Sequence, residues 1–139
     1  YTTLFRSSIS NNLRLVPKEI MPKHKIGDKW SRIEDCVFPS VSEWLSGFRD
    51  SKFVVTDSFH GTVFSIIFNK PFLAIGNKAR GLSRFTSLLH MFGLEDRLIS
   101  EVDDLNRIND MSINYTVVNR TIDEWRNNSL SFLKTKLNK

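Results

Sequence analysis

From Ser40 onward apolar residues fall in short blocks, and their spacing predicts alternating helices and strands. Ser40, directly after Pro39 and three residues before Glu43, makes a capping-box pattern that opens a helix. Val41, Trp44, Leu45 and Phe48 follow at helical spacing, and this helix is expected to end near Arg49. Lys52-Phe53-Val54-Val55-Thr56 is apolar and β-branched between two Asp-Ser pairs, the pattern of a strand buried on both faces. The run from His60 to Asn69 is almost wholly apolar. Taken alone it also suits a strand; between two short buried strands it reads as a crossover helix. Pro71 stops it, and Phe72-Leu73-Ala74-Ile75 is the next strand. Strand, helix and strand within about 25 residues make a parallel βαβ unit, which closes right-handed almost without exception.

Beyond that unit, Gly76 to Leu82 reads as a polar loop. Ser83 is expected to cap a helix carrying Phe85, Leu88, Leu89 and Phe92, stopped by Gly93. Thr121 with Glu124 forms a second capping box, predicted to open a C-terminal helix through Trp125, Leu130, Leu133 and Leu137. Upstream, Asn12-Leu13-Arg14-Leu15-Val16 reads as a strand ended by Pro17, and Pro22 with Lys23 to Lys29 as a basic loop. There are no internal repeats. The pattern is α/β with a mostly parallel sheet, and the βαβ unit and the C-terminal helix are expected to enclose one core.

The 139 residues suit one domain. Hydrophobic residues at 40%, with eleven Phe and three Trp, supply a core and argue against disorder. The net charge of +5 fits a polyanion, a membrane surface or a phosphorylated small molecule without choosing among them. No run of five like charges indicates a nucleic-acid arm. A nucleic-acid module would interleave basic residues with exposed aromatics, whereas the Phe residues here lie in apolar segments and read as core. Cys36 is the single cysteine, so no internal disulfide forms, which suits a reducing compartment. It reads as a small buried residue rather than a nucleophile. No segment approaches the ~18 apolar residues of a membrane span, and no signal peptide is visible. A cytoplasmic protein is expected, and the sequons at Asn114, Asn119 and Asn127 then read as chance matches.

Ligands of open parallel sheets bind beyond the carboxyl ends of the strands, where helices begin. Asp57-Ser58-Phe59-His60-Gly61-Thr62 occupies such a place. Free backbone N–H groups at the positive end of the helix dipole make an anion site there. Gly61 lets the backbone approach a ligand, Ser58 and Thr62 offer hydroxyls, and a histidine gives or takes a proton near neutral pH. The second place is Gly76-Asn77-Lys78-Ala79-Arg80-Gly81, with Arg84 just inside the next helix. Both loops are expected to open onto one edge, so that His60, Asn77, Arg80, Arg84 and a helix N-terminus converge on a phosphate or carboxylate. Each part also has a plainer reading: Ser58 and Asp57 as helix caps, His60 as a structural histidine, the arginines as surface charges. His24 sits in a basic loop and His90 on an amphipathic helix. Glu95-Asp96 and Asp103-Asp104 are best explained as solvated loops. No His, Cys, Asp or Glu spacing suggests a ligand set, and no bound metal or cofactor is expected.

The run Trp44-Leu45, Phe48, and Asp50 through Thr62 resembles the polysaccharide pyruvyl transferase family. Phe64-Ser65-Ile66, Lys70-Pro71-Phe72, Arg84-Phe85, Ser87-Leu88-Leu89 and Gly93-Leu94-Glu95-Asp96-Arg97 continue it, so the likeness runs from about Val37 to Ile99. It implies two Rossmann-like halves, as in B-type glycosyltransferases. Residues 1–139 would then be the C-terminal, donor-binding half, a mostly parallel sheet with helices on both faces. Members transfer pyruvate from phosphoenolpyruvate onto two sugar hydroxyls, as a ketal on a cell-surface polysaccharide or its lipid-linked precursor. The acceptor would be a sugar or lipid-linked oligosaccharide, and work at the inner face of the membrane is open. The family's histidine corresponds to His60, which would protonate the donor's methylene carbon or hold its phosphate. Many members carry an arginine two residues earlier, where this chain has Ser58. Arg80 or Arg84 then replaces that charge, or the donor differs. The alternative is a glycosyltransferase of the same architecture using a nucleotide sugar.

Overall fold

The computed structural model describes residues 2–21, 32–76, 81–101, 104 and 112–137. The basic loop Lys23 to Lys29, with His24, lies outside them, as does Asp103. The described elements are α1 (Thr2–Leu13), α2 (Val41–Asp50), β1 (Val54–Thr56), α3 (Phe59–Ile67), β2 (Phe72–Ile75), α4 (Leu82–Phe92), β3 (Leu98–Ile99) and α5 (Tyr115–Leu137). Short 3-10 turns cover Ile33–Cys36 and Glu95–Arg97.

The three strands form one parallel sheet in the order β1-β2-β3. Val54 pairs with Phe72 and Thr56 with Ala74; on the other side Ala74 pairs with Leu98. Side chains alternate across the pleat, so this register sorts them cleanly between two faces. Val54, Phe72 and Ala74 join Phe48 of α2, Ile66 of α3, Phe85 and Leu89 of α4 and Val118 of α5 in one cluster. Leu73, Ile75 and Ile99 join Ile9 of α1 in the other, with Leu13, Phe53 and Val55 packed against it. Helices therefore cover both faces. β2, central and buried at every position, reads as a continuous apolar run for that reason.

Local chemistry explains most boundaries. Ser40 accepts from the Glu43 N–H while Glu43 accepts from the Ser40 N–H and hydroxyl, a complete capping box. Trp44 sets its ring edge-on to Phe48 at 4.7 Å and to Phe64 at 5.3 Å, which locks α2 against α3. α3 closes through the left-handed Asn69 (φ +54°), with the Lys70 N–H bonded to the Ser65 carbonyl. Gly93 ends α4 at φ +64°.

Four expectations need correction. Asn12–Val16 is no strand: α1 runs to Leu13, Arg14 turns left-handed (φ +52°), and the Leu15 N–H closes back onto the Ser10 carbonyl. Five alternating residues are too few to outweigh a helix already under way. Ser83 does not cap α4, because Gly81 at φ +79° caps it two residues earlier and brings Leu82 over Gly76. Thr121 opens nothing either. α5 begins at Tyr115, the Asn114 side chain accepts the Thr116 N–H at 3.2 Å, and the Thr121 hydroxyl bonds back to the Val117 carbonyl. Finally, the C-terminal helix encloses the core only through its first two turns. Trp125, Leu130, Phe132, Leu133 and Leu137 are exposed, as is Phe38, so not every Phe is core.

β3 and Arg97 were not foreseen. Arg97 is buried beneath the start of α5, with Nη2 bonded to Asp96 and to the Ser112 carbonyl, while Nε and Nη1 have no partner among the described residues. Nearby, burial pushes the Tyr115 phenol far above its ordinary value, so it stays a donor, to the carbonyls of Lys70 and Ser65. Cys36 is half-buried.

Candidate functional site

The site is built where β1 hands over to α3. Ser58 holds extended backbone as N-cap, and its Oγ accepts the Gly61 N–H at 3.3 Å. The Ser58 N–H donates to Thr56 Oγ1 at 3.1 Å. Its carbonyl receives both the N–H and the hydroxyl of Thr62, at 3.0 and 3.2 Å. The turn is thus bonded within itself from Thr56 to Thr62. The backbone N–H groups of Phe59 and His60 are left without an acceptor among the described residues. No acidic residue occupies the first turn of α3, and the nearest carboxylate at its positive end in the chain is Asp57, just before the cap.

Within this turn the expected residues separate. His60 and Asp57 are exposed, and so is Ser58, although its hydroxyl is engaged as the cap. Thr62 is fully buried with its hydroxyl bonded, and Gly61 is buried against the strand. A Cβ on Gly61 would come within 2.3 Å of Thr56 Oγ1, so the close approach that requires glycine here is between helix and strand.

β1 and β2 are parallel neighbours, so α3 and α4, which follow them, begin at the same edge of the sheet. Side chains bridge the two N-termini. Phe59 sets its ring edge-on to Phe85 at 5.9 Å, and the Arg84 guanidinium lies over the Phe59 ring, 5.5 Å from its centroid. The His60 ring lies 5.9 Å from the same Phe59 ring. His60 and Arg84, distant in sequence, therefore both approach one aromatic side chain. Asn77 and Arg80 lie outside the described residues.

The residues that organise this arrangement are Thr56 and Phe59, which sequence reading took only as a strand end and part of a turn. A β-branched hydroxyl residue closing a strand two positions before a cap was the available signal for Thr56. The other histidine of the described residues, His90, is exposed and pairs with Glu95, whose carboxyl is held below its ordinary value by its own backbone N–H and by His90. Among the described residues no group of three His, Cys, Asp or Glu side chains is placed to hold a metal ion. None of their helices is long and apolar enough to cross a membrane.

Two N–H groups without an acceptor, the positive end of a helix dipole, an imidazole and a guanidinium thus lie at or beside the N-termini of α3 and α4. The family model described as polysaccharide pyruvyl transferase matches residues 4–79, a span that contains most of α1 and all of α2, β1, α3 with its His60 turn, and β2. No curated protein and no solved structure matches the chain.

Proposed function

This chain belongs to the polysaccharide pyruvyl transferase family, and we propose that it supplies the donor-binding half of an enzyme that moves pyruvate from phosphoenolpyruvate onto a sugar. The observation that carries this reading is that both His60 and Arg84 approach the Phe59 ring at the open N-terminus of α3. Phosphoenolpyruvate carries a carboxylate and a phosphate, and the two helix N-termini and Arg84 offer charge for both. Arg84 stands in for the charge that Ser58 lacks, and Asn77 and Arg80 belong to the same donor site.

His60 acts as general acid toward the methylene carbon of the enol. Protonation there leaves the adjacent carbon electron-poor, one sugar hydroxyl adds to it, phosphate departs, and the second hydroxyl closes the ketal. One hydroxyl proton replaces the one His60 gave, and the other leaves with phosphate. The sheet is taken as the core of a Rossmann-like half in a two-domain, glycosyltransferase-like architecture. The acceptor, a sugar or lipid-linked oligosaccharide, enters from the second half. The chain alone would bind donor without turning it over, and the enzyme works on the cytoplasmic side.

Calorimetric titration with phosphoenolpyruvate, UDP-sugars and GDP-sugars tests the donor: binding of phosphoenolpyruvate alone is expected, and preference for a nucleotide sugar would replace this reading. In the intact enzyme His60→Ala is expected to lose roughly 10²–10⁴-fold in kcat while remaining folded. Activity within about threefold of the parent would remove His60 from the mechanism.

A further inference from the structure

The C-terminal half of α5 presents a surface that the sugar chemistry does not use. Val118 is buried and Ile122 packs against the core. The same helical stripe continues at Trp125, Ser129, Phe132 and Leu133, one turn after another, since residues three and four apart share a face. Beyond Ile122, however, the stripe leaves the core: Trp125 is 55% exposed, Phe132 62% and Leu133 49%. With Asn128 and Ser129 these three line a shallow groove along the helix. Leu130 and Leu137 widen the apolar arc.

The charge on this segment is one-sided. From Trp125 to Lys139 the chain carries four basic residues and no acidic one. Arg126 is paired back to Asp123, while the Lys136 ammonium lies 5.9 Å from the Phe132 ring centroid, one turn further along the same stripe, where it ends the apolar run. Tryptophan, phenylalanine and leucine on one face, with lysines beside them, are the composition of a helix that lies in a membrane interface. Long basic side chains reach the headgroups while their stems cover apolar surface. A second copy of the chain would bring the same basic, acid-free face, whereas an anionic lipid surface brings the complement.

We propose that residues 125–137 of α5 dock the protein on an anionic lipid surface, the apolar face entering the headgroup boundary and Lys134 and Lys136 meeting lipid phosphates. The helix lies on the membrane rather than through it. This docking does not depend on the donor or on His60.

Co-sedimentation of the full chain with vesicles tests it, using phosphatidylcholine alone and phosphatidylcholine with phosphatidylglycerol at about 3:1. Binding to the anionic vesicles, weakened at high salt, is expected. Lys134→Gln with Lys136→Gln should lower that binding by about twenty-five-fold, each lysine counting for roughly fivefold near such a surface. Phe132→Ser with Leu133→Ser should abolish it, and because both side chains are exposed, circular dichroism should show an unchanged fold. Absence of binding, or equal binding to both vesicles, would overturn the proposal. So would a concentration-dependent dimer in light scattering that Phe132→Ser dissolves without any change in lipid binding, which would assign the face to a second copy.

Discussion

Thr56 and Gly61 are in direct contact: a Cβ added at Gly61 would lie 2.3 Å from Thr56 Oγ1 and 3.1 Å from its Cβ. The same Thr56 oxygen accepts the Ser58 N–H, so it cannot swing away without losing that bond. The end of β1 thus sets where α3 begins, and with it the position of His60.

Gly61→Ala should consequently destabilise the domain by roughly 1–3 kcal/mol, the usual cost of forcing an atom into a packed site. Thr56→Ala removes the oxygen in the way, at the cost of the bond to Ser58. The double variant should therefore be less destabilised than the sum of the singles, by at least about 0.5 kcal/mol. Urea unfolding of the four proteins measures this coupling, and strict additivity would show that the contact is not what excludes alanine.

Arg84→Gln in the intact enzyme should weaken donor binding by about tenfold, the scale of one hydrogen bond to a charged group. Arg84→Lys keeps the charge but loses the guanidinium that lies over Phe59, and should recover only part of that loss. Unchanged donor affinity in the Gln variant would reduce Arg84 to a cover for Phe59.

The start of α5 offers a stability test at two nearby positions. Asn114→Ala removes the acceptor of the Thr116 N–H and should cost ~1 kcal/mol. Thr121→Ala, inside the helix, should change stability by less than ~0.5 kcal/mol. Thermal unfolding of both variants decides between them, and the reverse order would return the helix start to Thr121.

Acid should weaken the fold through three carboxylates. The Ser40 hydroxyl and backbone hold Glu43 below its ordinary 4.5, Arg49 holds Asp50 below 3.8, and its own backbone and His90 hold Glu95 below 4.5. Each binds its proton less readily folded than unfolded, so stability is fully present above the unfolded values and falls as pH drops through the folded ones. Urea midpoints from pH 7 to pH 3 should stay level to about pH 5 and then decline. Glu43→Ala should make that decline shallower, and a profile with the parent's slope would remove the capping box as a contributor.

What could be read along the chain was whatever neighbouring residues decide between themselves. The Ser40–Glu43 box, the Phe72–Ile75 run, the stop at Gly93 and the strand-to-helix turn holding His60 each follow from contacts within a few positions. The two-faced burial expected of the Phe53 strand and of Phe72–Ile75 holds fully only for β2, because β1, at the sheet edge, is just three residues long and half-buried at Val55 and Thr56. Tertiary structure decided the rest. It made Asn114 rather than Thr121 the start of α5, because Val118, Tyr115 and Ile122 have a core to meet. It set the Arg84 guanidinium over Phe59, a contact between residues 25 positions apart that no local pattern encodes. And it left Trp125, Phe132 and Leu133 outside: helical spacing specifies which side chains share a face, while only the packing of the whole chain determines whether anything in it covers that face.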